Sequence, residues 1–164
     1  MGVIPNIYQK KGWLFKMASI NQSEIQEILK KFREKTHVLC SSLFNDDGFL
    51  ITLEQANTND CDDFHESIGA ICANIIALAA QGIDIVHGEK SVKKISIKAD
   101  ELRNEGFEII IESITEDVLL SIIFASSLNL GFILLELRTL IQTLKRYFLE
   151  LDNDEIVELA QAEL

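Results

Sequence analysis

Val118-Leu119-Leu120-Ser121-Ile122-Ile123-Phe124-Ala125 is apolar at every position but Ser121. A strand with one face in water alternates apolar and polar residues, whereas this one has nothing to offer water on either side. It predicts the centre of a sheet covered on both faces. One layer of helices cannot do that, so the chain needs helices above and below the sheet.

The flanking patterns supply them. Ser23-Glu24-Ile25-Gln26 fits a capping box, and Ile25, Ile28, Leu29 and Phe32 follow at helical spacing. Val38, Cys40, Ser42 and Phe44 then alternate with Leu39, Ser41 and Leu43 as a strand does. Asn45-Asp46-Asp47-Gly48 is a hinge with a residue suited to left-handed geometry, and Phe49, Ile51 and Leu53 alternate with Leu50, Thr52 and Glu54 on the return strand. A polar loop from Gln55 to Asp63 ends in Asp60, Asp62 and Asp63, suited to a helix start. The helix that follows runs to about Gln81, where Gly82 is a natural stop. Phe64, Ile68, Ile71, Cys72, Ile75 and Leu78 form its expected core stripe. Gly69, Ala73, Ile76 and Ala80 form a second stripe of mostly small residues, which either reflects helix propensity or admits a neighbour at close range. Strands are expected over Lys93 to Ala99 and Phe107 to Ile114, before Val118 to Ala125. The last helix is expected over Gly131 to Leu151, with Leu134, Leu137, Ile141, Leu144, Phe148 and Leu151 on one side. The order is α-β-β-α-β-β-β-α.

Composition bounds what such a sandwich can do. A chain of 164 residues, 48% of them hydrophobic with one proline, fits one domain with extensions. The expected division is an N-terminal arm over 1–20, a domain over 21–151 and an acidic tail over 152–164. A net charge of −11 argues against general nucleic-acid binding, which needs a basic surface. The charge is uneven. Lys10, Lys11, Lys16, Lys30, Lys31, Arg33 and Lys35 dominate the first 38 residues, whereas Asp152, Asp154, Glu155, Glu158 and Glu163 crowd the tail. Both ends can simply be solvated, or the acidic tail can dock on a basic face of this chain or of a partner. Trp13, Leu14 and Phe15 suit the arm to pinning against the body or a partner. The longest apolar runs fall short of the ~20 residues that span a bilayer, and no secretory signal lines up. No integral membrane segment and a cytoplasmic location are expected. Cys40, Cys61 and Cys72 lack CxxC spacing; Cys40 and Cys72 are expected as buried reduced thiols.

A search for chemistry finds no catalytic, metal or cofactor set. His37, His65 and His87 lie in different elements, and none has a second ligand at metal-binding spacing. Ser41 and Ser42 are strand residues, not a nucleophile elbow. Gly82 and Gly88 miss the phosphate-loop spacing, and Glu89 stands where its lysine belongs. Asp46, Asp47 and the Asp60–Asp63 group are accounted for by turns and caps. No enzyme acting alone is expected.

The element order, Ile28-Leu29-Lys30-Lys31-Phe32, Asn45-Asp46-Asp47-Gly48-Phe49-Leu50-Ile51, the Ala-rich helix over Ile68 to Gln81, and Leu130-Gly131 together resemble the roadblock (dynein light chain roadblock-type) family over about Ser23 to Leu149. That resemblance implies an α+β three-layer sandwich of roadblock/profilin-like kind. Its five-stranded antiparallel sheet carries one helix on one face and two on the other. It implies a homodimer, or a heterodimer with a second roadblock protein. The sheets join through Lys93, Ile95 and Ile97, and the second helices pair through Gly69, Ala73, Ile76 and Ala80. It also implies a platform that binds and regulates a Ras-like small GTPase, in some members as a GTPase-activating partner that positions the GTPase's own catalytic groups. Glu66, Ala70, Asn74 and Ala77 form the candidate surface for that GTPase. Lys93, Lys94 and Lys98 pull the other way, since lysines are how an edge strand avoids pairing. Two alternatives stand beside this: a structural light-chain or scaffold subunit without effect on hydrolysis, and a profilin-like or PAS-like small-molecule sensor.

Overall fold

The structure, a computed structural model, describes residues 20–55, 71–79, 81, 92–99 and 106–162. The arm before Ile20, Cys61, His65 and the Gly82–Gly88 stretch lie outside the described residues. The elements are α1 (Gln22–Thr36), β1 (Cys40–Asn45), β2 (Leu50–Gln55), α2 (helical residues 71–79), β3 (Lys94–Ala99), β4 (Phe107–Ser113), β5 (Val118–Ala125) and α3 (Leu130–Ala162). The order is the one expected.

All five strands pair antiparallel in the sheet order β2-β1-β5-β4-β3. The doubly apolar β5 is the central strand, and its two faces go to two separate clusters. Val118, Leu120, Ile122 and Phe124 join Leu43, Ile110 and the inner stripes of α1 and α3, namely Ile25, Leu29, Phe32, Leu137, Leu144 and Phe148. On the other face Ile123 packs with Phe44, Ile109, Ile111 and Cys72, Ile75 and Ile76 of α2. Two helices cover one face and one covers the other, so the sandwich is three layers deep.

Turn chemistry builds the first hairpin. Gly48 adopts φ 86°, where a side chain would be strained. The Asn45 carbonyl accepts from the Gly48 N–H at 3.0 Å, and the Asn45 side chain accepts from the Phe49 N–H at 2.6 Å. The return strand departs from simple alternation. Leu43 pairs with Thr52 and Phe44 with Leu50, which leaves Ile51 as an extra residue in a bulge. Ile51 is thereby buried in the α1/α3 core, while Phe49 is left 68% exposed.

One helix start also differs from expectation. Asn21, not Ser23, caps α1: its side chain accepts from the Glu24 N–H at 3.3 Å, and Ser23 sits inside the first turn. Asn129 caps α3, its side chain accepting from the Phe132 N–H at 3.1 Å. The backbone of α3 continues to Ala162, past the expected end at Leu151. Among the described residues, no helix is long and apolar enough to cross a membrane.

Candidate functional site

Among the described residues, the face built by α2 and the β3 edge leaves both apolar side chains and an open strand edge uncovered. Cys72, Ile75, Ile76 and Ala79 stand at i, i+3, i+4 and i+7, and this stripe turns toward the sheet. Cys72 is 3% exposed, and Ile75 and Ile76 pack against Phe44 and Ile111. One flank of that stripe carries Ile71, 55% exposed, and Leu78, 66% exposed, two turns apart on one helix face. Asn74, Ala77 and Gln81 are exposed beside them.

This corrects the expected core stripe. Ile71 and Leu78 lie outside the core, because the apolar residues of α2 occupy more of its circumference than a single sheet face can cover. Ile76, assigned from sequence to the small-residue stripe, is half-buried: it packs on the inner core and also borders the open cavity beside Ala73. Ala73 is partly exposed and lines an open cavity of about 600 Å³ with Ile76, Ala77, Val92, Lys93 and Leu119. Of the candidate GTPase surface, Asn74 and Ala77 are exposed on α2. Glu66 and Ala70, with Gly69 and Ala80 of the proposed helix pair, lie outside the described residues.

Among the described residues, β3 is an edge strand, bonded to β4 alone. One row of its backbone N–H and C=O groups is therefore unpaired within the sheet, which is the template for adding another strand. Ile95 and Ile97 are half-buried and lie opposite Ile111 and Ile109, on the α2 side of the sheet. Lys94 and Lys98 take the other face, where they meet Glu112 at 3.7 Å and Glu108 at 3.8 Å. Their charge is partly spent on β4 next door, which reduces the edge repulsion expected from the sequence. Lys93 is exposed, and its carbonyl accepts from the Ser113 N–H at 2.9 Å.

The polar groups near this face are structural. Burial pushes the Cys72 thiol up, with the Ser121 hydroxyl opposing the shift, so the thiol stays protonated and non-nucleophilic at neutral pH. Cys40 is buried with its sulfur 3.3 Å from the Ser42 hydroxyl. Asp46 and Asp47 are exposed in the hairpin turn, where the Asp46 N–H donates to the Asp117 carbonyl at 3.0 Å. Among the described residues, no three of His, Cys, Asp and Glu gather as metal ligands. The arrangement can bind apolar and backbone surface of another protein chain.

Comparison with family models and with curated proteins finds no match. Solved structures do match. MglB of Myxococcus xanthus superposes with TM-score 0.68 at 18% identity, over 80% of this chain and 92% of that one. The gliding protein MglB of Thermus thermophilus gives 0.66 at 19% identity, over 79% and 91%. A roadblock/LC7 domain from Streptomyces avermitilis gives 0.62 at 12% identity, over 76% and 97%. The fold is therefore the roadblock type, as the element order in the sequence implied.

Proposed function

We propose that this chain is a dimeric roadblock-type platform that binds and regulates a Ras-like small GTPase. One observation carries the reading. α2 presents Ile71 and Leu78 to solvent on the same side of the molecule as Ile95 and Ile97 of the unpaired β3 edge. Burying two apolar side chains of this size contributes about 1.5–3 kcal/mol each, and edge pairing would satisfy the free backbone row of β3. A two-fold axis beside β3 would bring two sheets edge to edge and two α2 helices side by side. Ile71 and Leu78 would line the helix seam if that flank of α2 turns to its copy, and Ala73, with Gly69 and Ala80, would line it if the other flank does; Lys93, Ile95 and Ile97 would line the strand junction. The joined helices would then offer Asn74 and Ala77, with Glu66 and Ala70, to the GTPase.

In this role the chain contributes shape and contacts, and the nucleotide chemistry belongs to the GTPase. The test has two stages. Light scattering on a sizing column should give twice the chain mass for the wild type, and the monomer mass for Ile71→Arg with Leu78→Glu, with unchanged circular dichroism. Nucleotide-loaded Ras-like GTPases are then added, and binding and single-turnover hydrolysis are followed. Faster hydrolysis establishes an activating partner. Binding at an unchanged rate establishes the scaffold version. A dimer that binds no GTPase in either nucleotide state overturns the reading.

A further inference from the structure

The segment before Ile20 enters the described body at a well-marked point. Ile20 is buried in the α1/α3 core, and the Asn21 N–H donates to the Tyr147 hydroxyl at 2.9 Å. That point is one end of a groove. α1 and α3 run antiparallel, with Asn21 against Tyr147 at one end and Lys35 Nζ 2.8 Å from Glu136 Oε2 at the other. Between these contacts lies an open cavity of about 310 Å³. Phe32 and Leu140, both buried, and half-buried Ile28 form its floor, and Lys31, Thr139 and Thr143 form its rim.

We infer that Trp13, Leu14 and Phe15 occupy this groove, so that residues 1–19 act as a strap across the α1/α3 face of their own chain. Reach and chemistry both select this occupant. Asn21 to Lys35 spans about 21 Å of helix at ~1.5 Å per residue. An extended chain covers that in about six or seven residues at ~3.3 Å each. Running back along the groove from Ile20, those residues end at Phe15, Leu14 and Trp13, over the Phe32 and Leu140 floor. These three are consecutive large apolar residues in a segment otherwise marked by Lys10, Lys11 and Lys16. The rim charges next to them are already engaged: Lys31 with Glu27 at 3.7 Å and Lys35 with Glu136. An apolar strap therefore breaks no ion pair. The inference does not depend on the GTPase reading, since it concerns the opposite side of the sheet.

Trp13 is the chain's one tryptophan, so intrinsic fluorescence reports on the strap alone. The full chain should show blue-shifted emission, shielded from iodide. Thr139→Arg with Thr143→Arg, both on the exposed rim, should red-shift it and raise the quenching constant several-fold while circular dichroism stays unchanged. Leu14→Ser with Phe15→Ser should lower the melting temperature of the wild type but not of the rim variant. Four outcomes overturn the proposal. Trp13 is open to iodide in the wild type; it is shielded but indifferent to the rim substitutions; its shielding fades on dilution, as for an arm exchanged between copies; or shielding needs anionic phosphatidylserine vesicles, as for a membrane anchor.

Discussion

The Asn21 N–H donates to the hydroxyl of Tyr147, 126 positions away, at 2.9 Å. Asn21 is also the N-cap of α1, and its carbonyl accepts from the Glu24 and Ile25 N–H groups at 3.1 and 3.2 Å. In a capping box the N-cap's own N–H is satisfied by the side chain three residues on. Here the long-range tyrosine takes that place, tying the start of α1 to α3. Tyr147→Phe keeps the edge-to-face contact with Phe148 at 5.5 Å but loses the acceptor. The expected cost is about 0.5–1.5 kcal/mol, read as a lower urea midpoint with an unchanged slope.

The same hydroxyl sets a pH dependence. Burial pushes the Tyr147 pKa above its ordinary 10.0, the hydrogen bond with Asn21 opposes this, and the Glu24 carboxylate adds to the rise. Folding therefore favours the neutral phenol. Its contribution is fully present below pH 10 and is lost as pH rises through the folded value. Wild type should lose stability above pH 10 more steeply than Tyr147→Phe in thermal melts across that range.

Arg33 Nε lies 2.9 Å from Glu54 Oε1, with 23% and 12% of the two side chains exposed, and so joins α1 to β2. This pair is better shielded than a surface ion pair yet still touched by solvent. Arg33→Met should cost about 1–2 kcal/mol, with part of that recovered in Arg33→Met with Glu54→Gln. A double-mutant cycle in urea gives the coupling. Additivity of the two single changes would show that the pair contributes nothing.

His37 ends α1 in the left-handed region at φ 59°, and its N–H donates to the Arg33 carbonyl at 2.7 Å. A side chain there costs roughly 1–2 kcal/mol, which glycine avoids at a helix C-terminus. His37→Gly should raise stability by about 1 kcal/mol, once the extra chain entropy of glycine is set against the relief. Calorimetry would show this as a higher melting temperature.

Cys72 reports on the seating of α2. Its raised pKa favours the thiol in the folded state, so its contribution is present below pH 9.0 and declines as pH rises through the folded value. At pH 8 an aromatic disulfide reagent should modify Cys72 only at the rate of opening, far slower than in urea. Rapid native modification would mean that α2 lifts from Phe44 and Ile111 without global unfolding.

Much of this architecture depends on near neighbours and was therefore legible in order along the chain. The Asn45–Gly48 turn, the run of Ile25, Leu29 and Phe32, and the doubly apolar β5 each declare their structure within a few residues. Turn geometry and side-chain periodicity are local properties. The element order followed from them, and with it the roadblock-type fold. Cys40 and Cys72 were likewise placed as buried thiols by the patterns around them.

What tertiary structure decided is which of several locally equivalent choices prevailed. Asn21 and Ser23 are both competent caps, and the Tyr147 hydroxyl, far away in sequence, accompanies the choice of Asn21. Ile51 could have kept strict alternation, but the bulge turns it into the α1/α3 core. Lys94 and Lys98 look like bare edge charges until Glu112 and Glu108 are placed across from them. Ile71 and Leu78 matched the core pattern as well as Cys72 and Ile75 did. Which stripe of α2 faced the sheet was settled by packing on Phe44 and Ile111, and the stripe left outside became the candidate interface. A helix with apolar residues around most of its girth carries no local signal of which side a partner will cover, because burial is a property of the pair of surfaces and not of either alone.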